Sequence, residues 1–497
     1  MNWLGTFLRR QAQARVRPWG LAVPIAVLIV SLPLLRPLRI PDPTRLGDSE
    51  AARLATVDAI VENPVVSGQA PAMRLAIRDE WSADVTTAMV IHGRRYSVQA
   101  PMLAFILAGP YAIMHHLGWT LRDNSVFVPF MLTLIGSTLP VAAAAGLLYR
   151  IGRLFELRRN WRTLLAAICV FGGGLISYAT VINPHAPAAA LIIAAAGCLI
   201  QVAASERPGR QGGWLVGAGL LAALAGTIDP LTALFAVLFP AVIFAMRLPT
   251  GLKIAGVLLY GVGMMPPMAL YAVLTMPLTG DLRPGVLHPE LVRSIPRSAL
   301  LTTRSTTAAA SPTAESSASV AAQPLAAPDD EEVVATPGLV WRSIAAAGSG
   351  VADLLATLLG SHGLLSHFPI AIVGAMGIGA VMHRHWPMTT KLLAAISATG
   401  MIAALVLCMV HDAGPGAMFA NQTWIAMMPM LLFWIGAWFR RRHRRGVWIG
   451  LGILLGFSVI VSLIGATDPM PRNGYDQYTP IGAIGRMVHG EATSIGQ

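Results

Sequence analysis

NQTWIAMMPMLLFWIGAWFRRRHRRGVWIGLGILLGFSVIVSLIG, residues 421–465, sets two apolar stretches, 421–439 and 446–465, around one arginine knot at Arg440, Arg441, Arg442, Arg444 and Arg445. Each stretch is close to the ~20 residues a helix needs to cross a bilayer core of ~30 Å. A basic run between two such stretches reads as a cytoplasmic anchor at anionic headgroups.

The same pattern repeats through the chain. Eleven spans are predicted, at 20–36, 125–149, 163–182, 186–204, 213–228, 231–247, 254–276, 364–382, 391–410, 421–439 and 446–465. Alternate loops hold Arg150, Arg153, Arg158, Arg159 and Arg162, then Arg207 and Arg210, then Arg247 and Lys253, then Arg384 and Lys391. The loops between them, Asn183–His185, Thr227–Pro230 and His411–Asn421, carry no Lys or Arg. The expected topology puts the N-terminus in the cytoplasm and the 466–497 tail outside. Trp161, Trp214, Trp386, Trp438 and Trp448 fall near span ends, where interfacial anchors belong.

Composition excludes a soluble enzyme. Of 497 residues 55% are hydrophobic and 12% charged, with a mean hydropathy of +0.62, too little charge to cover a water-facing surface. The net charge of +12 does not point to nucleic acid, because the arginines sit in short juxtamembrane loops. Cys169, Cys198 and Cys408 all fall inside spans and build neither a disulfide framework nor a metal motif. Arg9 and Arg10 before Gly20–Leu35 resemble a signal peptide, but no small-residue cleavage site follows, so this is read as an uncleaved first span.

The domain reading follows from the spans: 1–36, a cytoplasmic segment and first span; 37–124, a first outer loop; 125–276, a bundle; 277–363, a second outer loop; 364–465, the C-terminal spans; and 466–497, the tail. In the first outer loop a helix is predicted from Asp48 to Glu62, then an extended stretch over Met73–Tyr96 with a turn at His92-Gly93. An apolar helix from Pro101 to Leu117, containing Pro110, is expected to lie on the membrane rather than cross it. In the second loop, 298–337 is Ala/Ser/Thr/Pro-rich and expected to be disordered, with an interfacial helix over 338–359.

Ionisable groups avoid the spans and gather at their outer ends: His185, Asp229, His362, His367, His411 and Asp412. Coupled transporters need such groups within the bilayer, so a cavity at the outer interface is the expected site, roofed by the first outer loop.

Four stretches carry a resemblance. GDSEAARLATVDAIVENPVVSG (47–68) directly follows the first span; ADVTTAMVIHGRRYSVQAPMLAFILAGP (83–110), VINPHAPAAALIIAA (181–195) and SHGLLSHFPIAIVG (361–374) come after it in order. Together with 414–429 they resemble membrane glycosyltransferases of the GT-C superfamily, nearest in type to bacterial relatives of protein mannosyltransferases and of the aminoarabinose-to-lipid A transferase. The resemblance implies an all-α polytopic fold of GT-C type. It also implies transfer of a sugar from a polyprenyl-phosphate donor to a lipid, glycan or protein acceptor on the non-cytoplasmic face. Such chemistry needs a carboxylate to take the acceptor proton and cations to hold the leaving phosphate.

By that resemblance the acid after the first span, Asp48, is catalytic, with Glu50 the near alternative. The residues themselves allow a second reading of Asp48, as the N-cap of the helix it precedes. Asp84 is a site acid or a structural one. His92, Arg94, Arg95 and His185 are the candidate phosphate and sugar contacts, with Tyr96 shaping the loop. Arg94 and Arg95 could equally meet headgroups, and His185 could simply anchor a helix start. A divalent ion shared by Asp48, Glu50 and Asp84 is open, as is the absence of any cofactor. Relatives have an acidic residue and a lysine before their proline pair where this chain reads YSVQAP, with Gln99 and Ala100; they also tend to have a late-loop arginine where this chain has Asn421 and Gln422. These departures keep a lipid or glycan flippase and a non-catalytic scaffold of the same fold as alternatives.

Overall fold

The computed structural model describes residues 20–39, 47–63, 70–81, 84–85, 87–205, 208–246, 249–288, 290–294, 350–360, 363–410, 422–441, 443–467 and 469. The expected disordered stretch 298–337, most of the 466–497 tail, and His362, His411, Asp412 and Asn421 lie outside them.

The chain is mostly helical. The first span is α1 (Ala22–Arg39), and α2 (Asp48–Glu62) follows it. Strands β1 (Thr87–Ile91) and β2 (Arg94–Ser97) form a hairpin that leads into α3 (Met102–His116). Then come α4 (Phe127–Phe155), α5 (Arg159–Phe171), α6 (His185–Ala204), α7 (Gly209–Ile228), α8 (Pro230–Ala245) and α9 (Thr250–Thr279). Strand β3 (Val292–Ser294) precedes α10 (Ala371–Met382), α11 (Met388–Met409), α12 (Met428–Phe439) and α13 (Arg445–Gly465).

Seven of these helices, α1, α4, α6, α7, α9, α11 and α13, are long and apolar enough to cross a membrane, and α10 with the helical residues before it makes an eighth candidate bent by 89°. The other three predicted spans are shorter. Helix α5 stops at Phe171 because Gly172, Gly173 and Gly174 follow, the last at φ +75° with Phe368 and Ile425 filling the space a side chain would need. Helices α8 and α12 are apolar but shorter than a full span. Helix α3 likewise has 15 residues, about 22 Å at ~1.5 Å per residue, short of a crossing.

Packing of the long helices is close where side chains vanish. A Cβ at Gly219 would collide with the Tyr260 carbonyl, and one at Gly263 with that of Val216, so α7 and α9 meet backbone to backbone. At the arginine end, Trp161, Trp438, Phe439 and Trp448 form one ring cluster, with centroids 5.0 Å apart for Trp161–Trp448 and 5.3 Å for Trp438–Trp448. That is the kind of aromatic belt expected at a headgroup interface.

The two loops meet in one antiparallel sheet of order β2-β1-β3, with Ile91 opposite Arg94 and Thr87 opposite Ser294. The predicted turn is present: His92 (φ 50°) and Gly93 (φ 73°) form a two-residue hairpin loop of the type whose twist suits paired strands. The rest of the expected extended stretch is not strand. Residues Pro71–Leu75 and Asp79–Trp81 are 3₁₀ turns, because Pro71 sets the first turn and residues 71–81 lack the strict alternation of the hairpin. Of the expected 338–359 helix, Gly350–Leu359 is described and is helical.

Candidate functional site

Helix α2 is buried without a break from Glu50 to Ala59, so every polar side chain it carries inward must find a partner. Its first turn docks on the loop before α6. Glu50 Oε2 accepts from Arg36 Nη1 at 3.0 Å, both side chains 1% exposed, and Glu50 Oε1 accepts the Ile182 N–H at 3.3 Å. The Arg36 N–H donates to the Thr180 carbonyl at 3.0 Å. A π-helical turn at Leu134–Thr138 in α4 contributes Thr138, whose hydroxyl donates to the Ala179 carbonyl at 2.7 Å. Residues 179–183 are therefore pinned from three elements.

Arg53, one turn on from Glu50, is 4% exposed. Its Nη1 donates to Ser49 Oγ (2.8 Å), the Ser49 carbonyl (3.1 Å) and the Ile182 carbonyl (3.4 Å), and its Nη2 to Gln99 Oε1 at 2.9 Å. Burial pushes its guanidinium down to about 10, opposed by the charges of Glu50 and Asp229. It therefore stays cationic at neutral pH.

His185 opens α6. Asn183 Oδ1 accepts the Ala186 N–H at 2.9 Å, in the first turn of that helix. His185 Nδ1 lies 2.7 Å from Asp229 Oδ2, at the end of α7, and Nε2 lies 3.0 Å from Gln422 Oε1. Asp229 in turn accepts the Leu231 N–H at 3.3 Å. The ring is fixed on both nitrogens.

Asp48 is the first residue of α2; the N-cap is Gly47, and the carboxylate instead accepts the Thr87 N–H at 3.3 and 3.4 Å. Beside it is Arg95, whose guanidinium donates to the Val85 carbonyl; burial lowers it, against the charges of Asp48 and Asp79.

The structure thus sets Asp48 beside Arg95 at the start of α2, pairs Glu50 with Arg36, and ties Glu50 and Arg53 to Ile182, three residues before His185. His92 and Arg94 are exposed at the hairpin tip, about 16 Å along β1 from Thr87 at ~3.3 Å per residue. Tyr96 is buried on the opposite side, its hydroxyl 3.4 Å from Met73 Sδ. Asp84 is half-buried in the turn before β1, its N–H donating to the Trp81 carbonyl at 3.0 Å. His367 is buried with Nδ1 2.9 Å from the Gly363 carbonyl. Among the described residues, no three His, Cys, Asp or Glu side chains form a group that could hold a metal ion.

Sequence reasoning passed over Arg53 and over a second polar group on the same helix. Asp58 Oδ1 and Glu62 Oε1 both accept from the Tyr111 hydroxyl, at 3.2 and 3.0 Å. Asp58 Oδ2 also accepts from Trp81 Nε1 (3.1 Å) and Arg78 Nη1 (3.4 Å); Arg78 pairs with Glu62 as well, and His115 Nε2 is 3.6 Å from Glu62. The available signals were the i, i+3 spacing of Glu50 and Arg53 and the i, i+4 spacing of Asp58 and Glu62.

This second group carries a pH signature. Burial and the neighbouring Glu62 push the Asp58 carboxyl up to about 6. Glu62, although burial opposes it, is held below its ordinary value by Tyr111 and Arg78. A raised folded-state acid favours the protonated form, so its contribution is present at low pH and lost as pH rises through about 6; Glu62 titrates lower and does not reverse the sign there. Thermal unfolding of the full chain in detergent is expected to shift down by a few degrees between about pH 5 and 7. Asp58→Asn should flatten that difference, and parallel curves for the two proteins would disprove the assignment.

No protein-family model matches the chain, and no curated protein matches it in sequence. Among solved structures it is similar to the oligosaccharyltransferase of Archaeoglobus fulgidus in its apo form, at 12% identity and TM-score 0.51, over 92% of this chain and 57% of that one. ArnT from Cupriavidus metallidurans matches at 12% identity and TM-score 0.48, over 94% of this chain and 78% of that one. The chain spans little more than half the length of the oligosaccharyltransferase. The expected polytopic all-α fold is present, and it is shared with that oligosaccharyltransferase.

Proposed function

We propose that the chain is a membrane glycosyltransferase that moves a sugar from a polyprenyl-phosphate carrier to a lipid, glycan or protein acceptor on the non-cytoplasmic face. The observation that carries the reading is one half-buried carboxylate, Asp48, beside the cation Arg95, with the cation Arg53 on the same helix and the His185 ring held by Asp229, whose charge Arg53 also feels. Asp48 takes the proton of the acceptor nucleophile as that atom bonds to the anomeric carbon. The bond from that carbon to the phosphate oxygen breaks, and the electron pair leaves on the phosphate. Fixed cations in a site of low polarity hold that charge with little reorganisation.

The two family departures fit the same reading. Gln99 stands where relatives have a lysine, and its Oε1 accepts from Arg53. Gln422, with Asn421, falls in the late loop where relatives tend to have an arginine, and its Oε1 lies 3.0 Å from His185 Nε2. Gln99 thus braces a cation supplied from elsewhere in the fold, Arg53, and Gln422 fixes the His185 ring.

The test uses full-length protein in lipid vesicles with radiolabelled polyprenyl-phosphate sugars and membrane extract as acceptor. Transfer or release of label is the expected result. Arg53→Met is expected to lower kcat/KM about 100-fold, in line with about 2–4 kcal/mol for one lost charge-stabilising group. A well-folded preparation that turns over no donor would favour a flippase or scaffold of this fold instead.

A further inference from the structure

An open groove of about 570 Å³ lies between the turns over 71–81 and the start of β2, the edge strand of the sheet. The Ile77 N–H donates to the Arg95 carbonyl at 2.8 Å, which fastens those turns alongside β2. The volume falls in the range of about 300–1,000 Å³ typical of small-ligand sites. Four arginines line the groove, Arg74, Arg78, Arg94 and Arg95, against two acids, Asp79 and Glu80.

The four arginines are engaged in different ways. Arg78 is taken by Asp58, Glu62 and Glu80, and Arg122 also pairs with Glu80 at 3.5 Å. Arg95 donates to the Val85 carbonyl and feels the charges of Asp48 and Asp79. Arg74 Nη2 donates to the Ile60 and Asn63 carbonyls, at 2.7 and 3.1 Å, at the C-terminal end of α2. Its guanidinium is thus held by backbone and not by an acid, and its Nε is buried with no hydrogen-bond partner among the described residues. Arg94 is exposed, and among the described residues neither it nor Arg74 has a carboxylate partner. A guanidinium fixed in advance and a second, solvated one in the same groove suit an oxyanion, which accepts charge-assisted hydrogen bonds from both.

The signs also limit what fits. Asp79 and Glu80 share the lining, so a continuous anionic bilayer surface would meet repulsion together with attraction. A single acidic group among neutral hydroxyls avoids that conflict. The groove also adjoins the proposed base: Arg95 lines it and feels the charge of Asp48. The hairpin sets Arg94 a strand length from Thr87, whose N–H rests on Asp48. An acidic group at Arg94 and a hydroxyl at Asp48 therefore belong to different sugar units.

From this we infer that the groove is an acceptor site for an acidic glycan, holding a phosphate or uronate group on Arg74 and Arg94 away from the hydroxyl presented to Asp48. The inference rests on the transferase reading and deepens it by naming the class of acceptor. The shared chemistry is an oxyanion carried on a saccharide.

The test is saturation-transfer NMR, by titration, on the full-length protein in zwitterionic nanodiscs. Its probes are methyl mannopyranoside, the 6-phosphate of that glycoside, and methyl glucuronide. The two acidic glycosides are expected to bind about ten-fold more tightly than the neutral one, and high salt should erase the difference. Arg94→Gln, at an exposed position, should weaken them about three- to five-fold. Asp79→Asn removes the opposing charge and should tighten them about two-fold, a gain that a merely structural residue would not give. Equal binding of the neutral glycoside, no loss in Arg94→Gln, or no gain in Asp79→Asn would each overturn the inference. The acidic glycosides should also stay bound in phosphatidylglycerol nanodiscs; their complete displacement would assign the groove to lipid headgroups and overturn it. In the transfer assay acidic acceptors should be preferred, and Arg94→Gln should erase the preference. Transfer without any such preference would sink the groove and leave the transferase standing. Binding of the acidic glycosides as expected, with no donor turned over, would remove the transferase and leave the groove as a site for acidic glycans.

Discussion

Asp48→Asn is expected to reduce sugar transfer by about 10²–10⁴-fold, the range that a positioned general base contributes. The substitution is small in every other respect. Asparagine keeps an oxygen to accept the Thr87 N–H that now sits 3.3 Å from the carboxylate, so the join between α2 and the hairpin survives. Arg53 and His185 keep their own partners, Gln99 and Asp229, so the groups proposed to hold phosphate stay in place. The loss should therefore appear in kcat, with the donor KM within a few-fold of wild type. A proportionate rise in KM with kcat preserved would mean that Asp48 binds rather than reacts. Transfer above a tenth of wild type would remove it as the base, and Asp84, half-buried just before β1, would be the next acid to test.

Much of the frame around Asp48 was legible from the chain. The apolar stretches announce helices, α2 runs from Asp48 to Glu62 as expected, and His92-Gly93 makes the turn. Those features are local: periodicity, a turn pair, a proline. What was not legible depends on contacts far apart in sequence. Strand β3 pairs with β1 across about 200 residues, and three residues of Val/Arg/Ser give no strand signal on their own. Arg53 looks like a surface arginine among alanines until α2 is seen to be sheathed on all sides. Arg94 and His92 are phosphate candidates in the sequence because they lie in the 83–110 stretch that carries the resemblance. A tight hairpin turns them outward instead, while Arg95, one residue on, faces Asp48. Helix α5 broke early for a local reason, three consecutive glycines, which hydropathy averaging hides.

The largest effect on folding is expected from splitting the Arg36–Glu50 pair. Both side chains are 1% exposed and 3.0 Å apart. Glu50→Ala takes from the buried Arg36 guanidinium a carboxylate 3.0 Å away, and removing one partner of a buried pair costs about 3–5 kcal/mol. That is a large part of a typical domain stability of about 5–15 kcal/mol. The damage would not stay local, because Glu50 also holds the Ile182 N–H and Arg36 the Thr180 carbonyl. The double variant Arg36→Met/Glu50→Met removes both charges and fills the space with apolar atoms, so its stability should return close to wild type. Thermal unfolding of the three proteins in the same detergent checks this, with the single variant well below the other two. If the double variant is as unstable as the single one, the pair is not what holds α2 to the loop before α6. If it is stable yet slow in transfer, the pair acts as a positioning device, setting the register of residues 179–183 and with it the approach of His185 to the phosphate. Glu50→Gln separates charge from shape, since the amide can still accept the Ile182 N–H while removing the Glu50 charge beside Arg36.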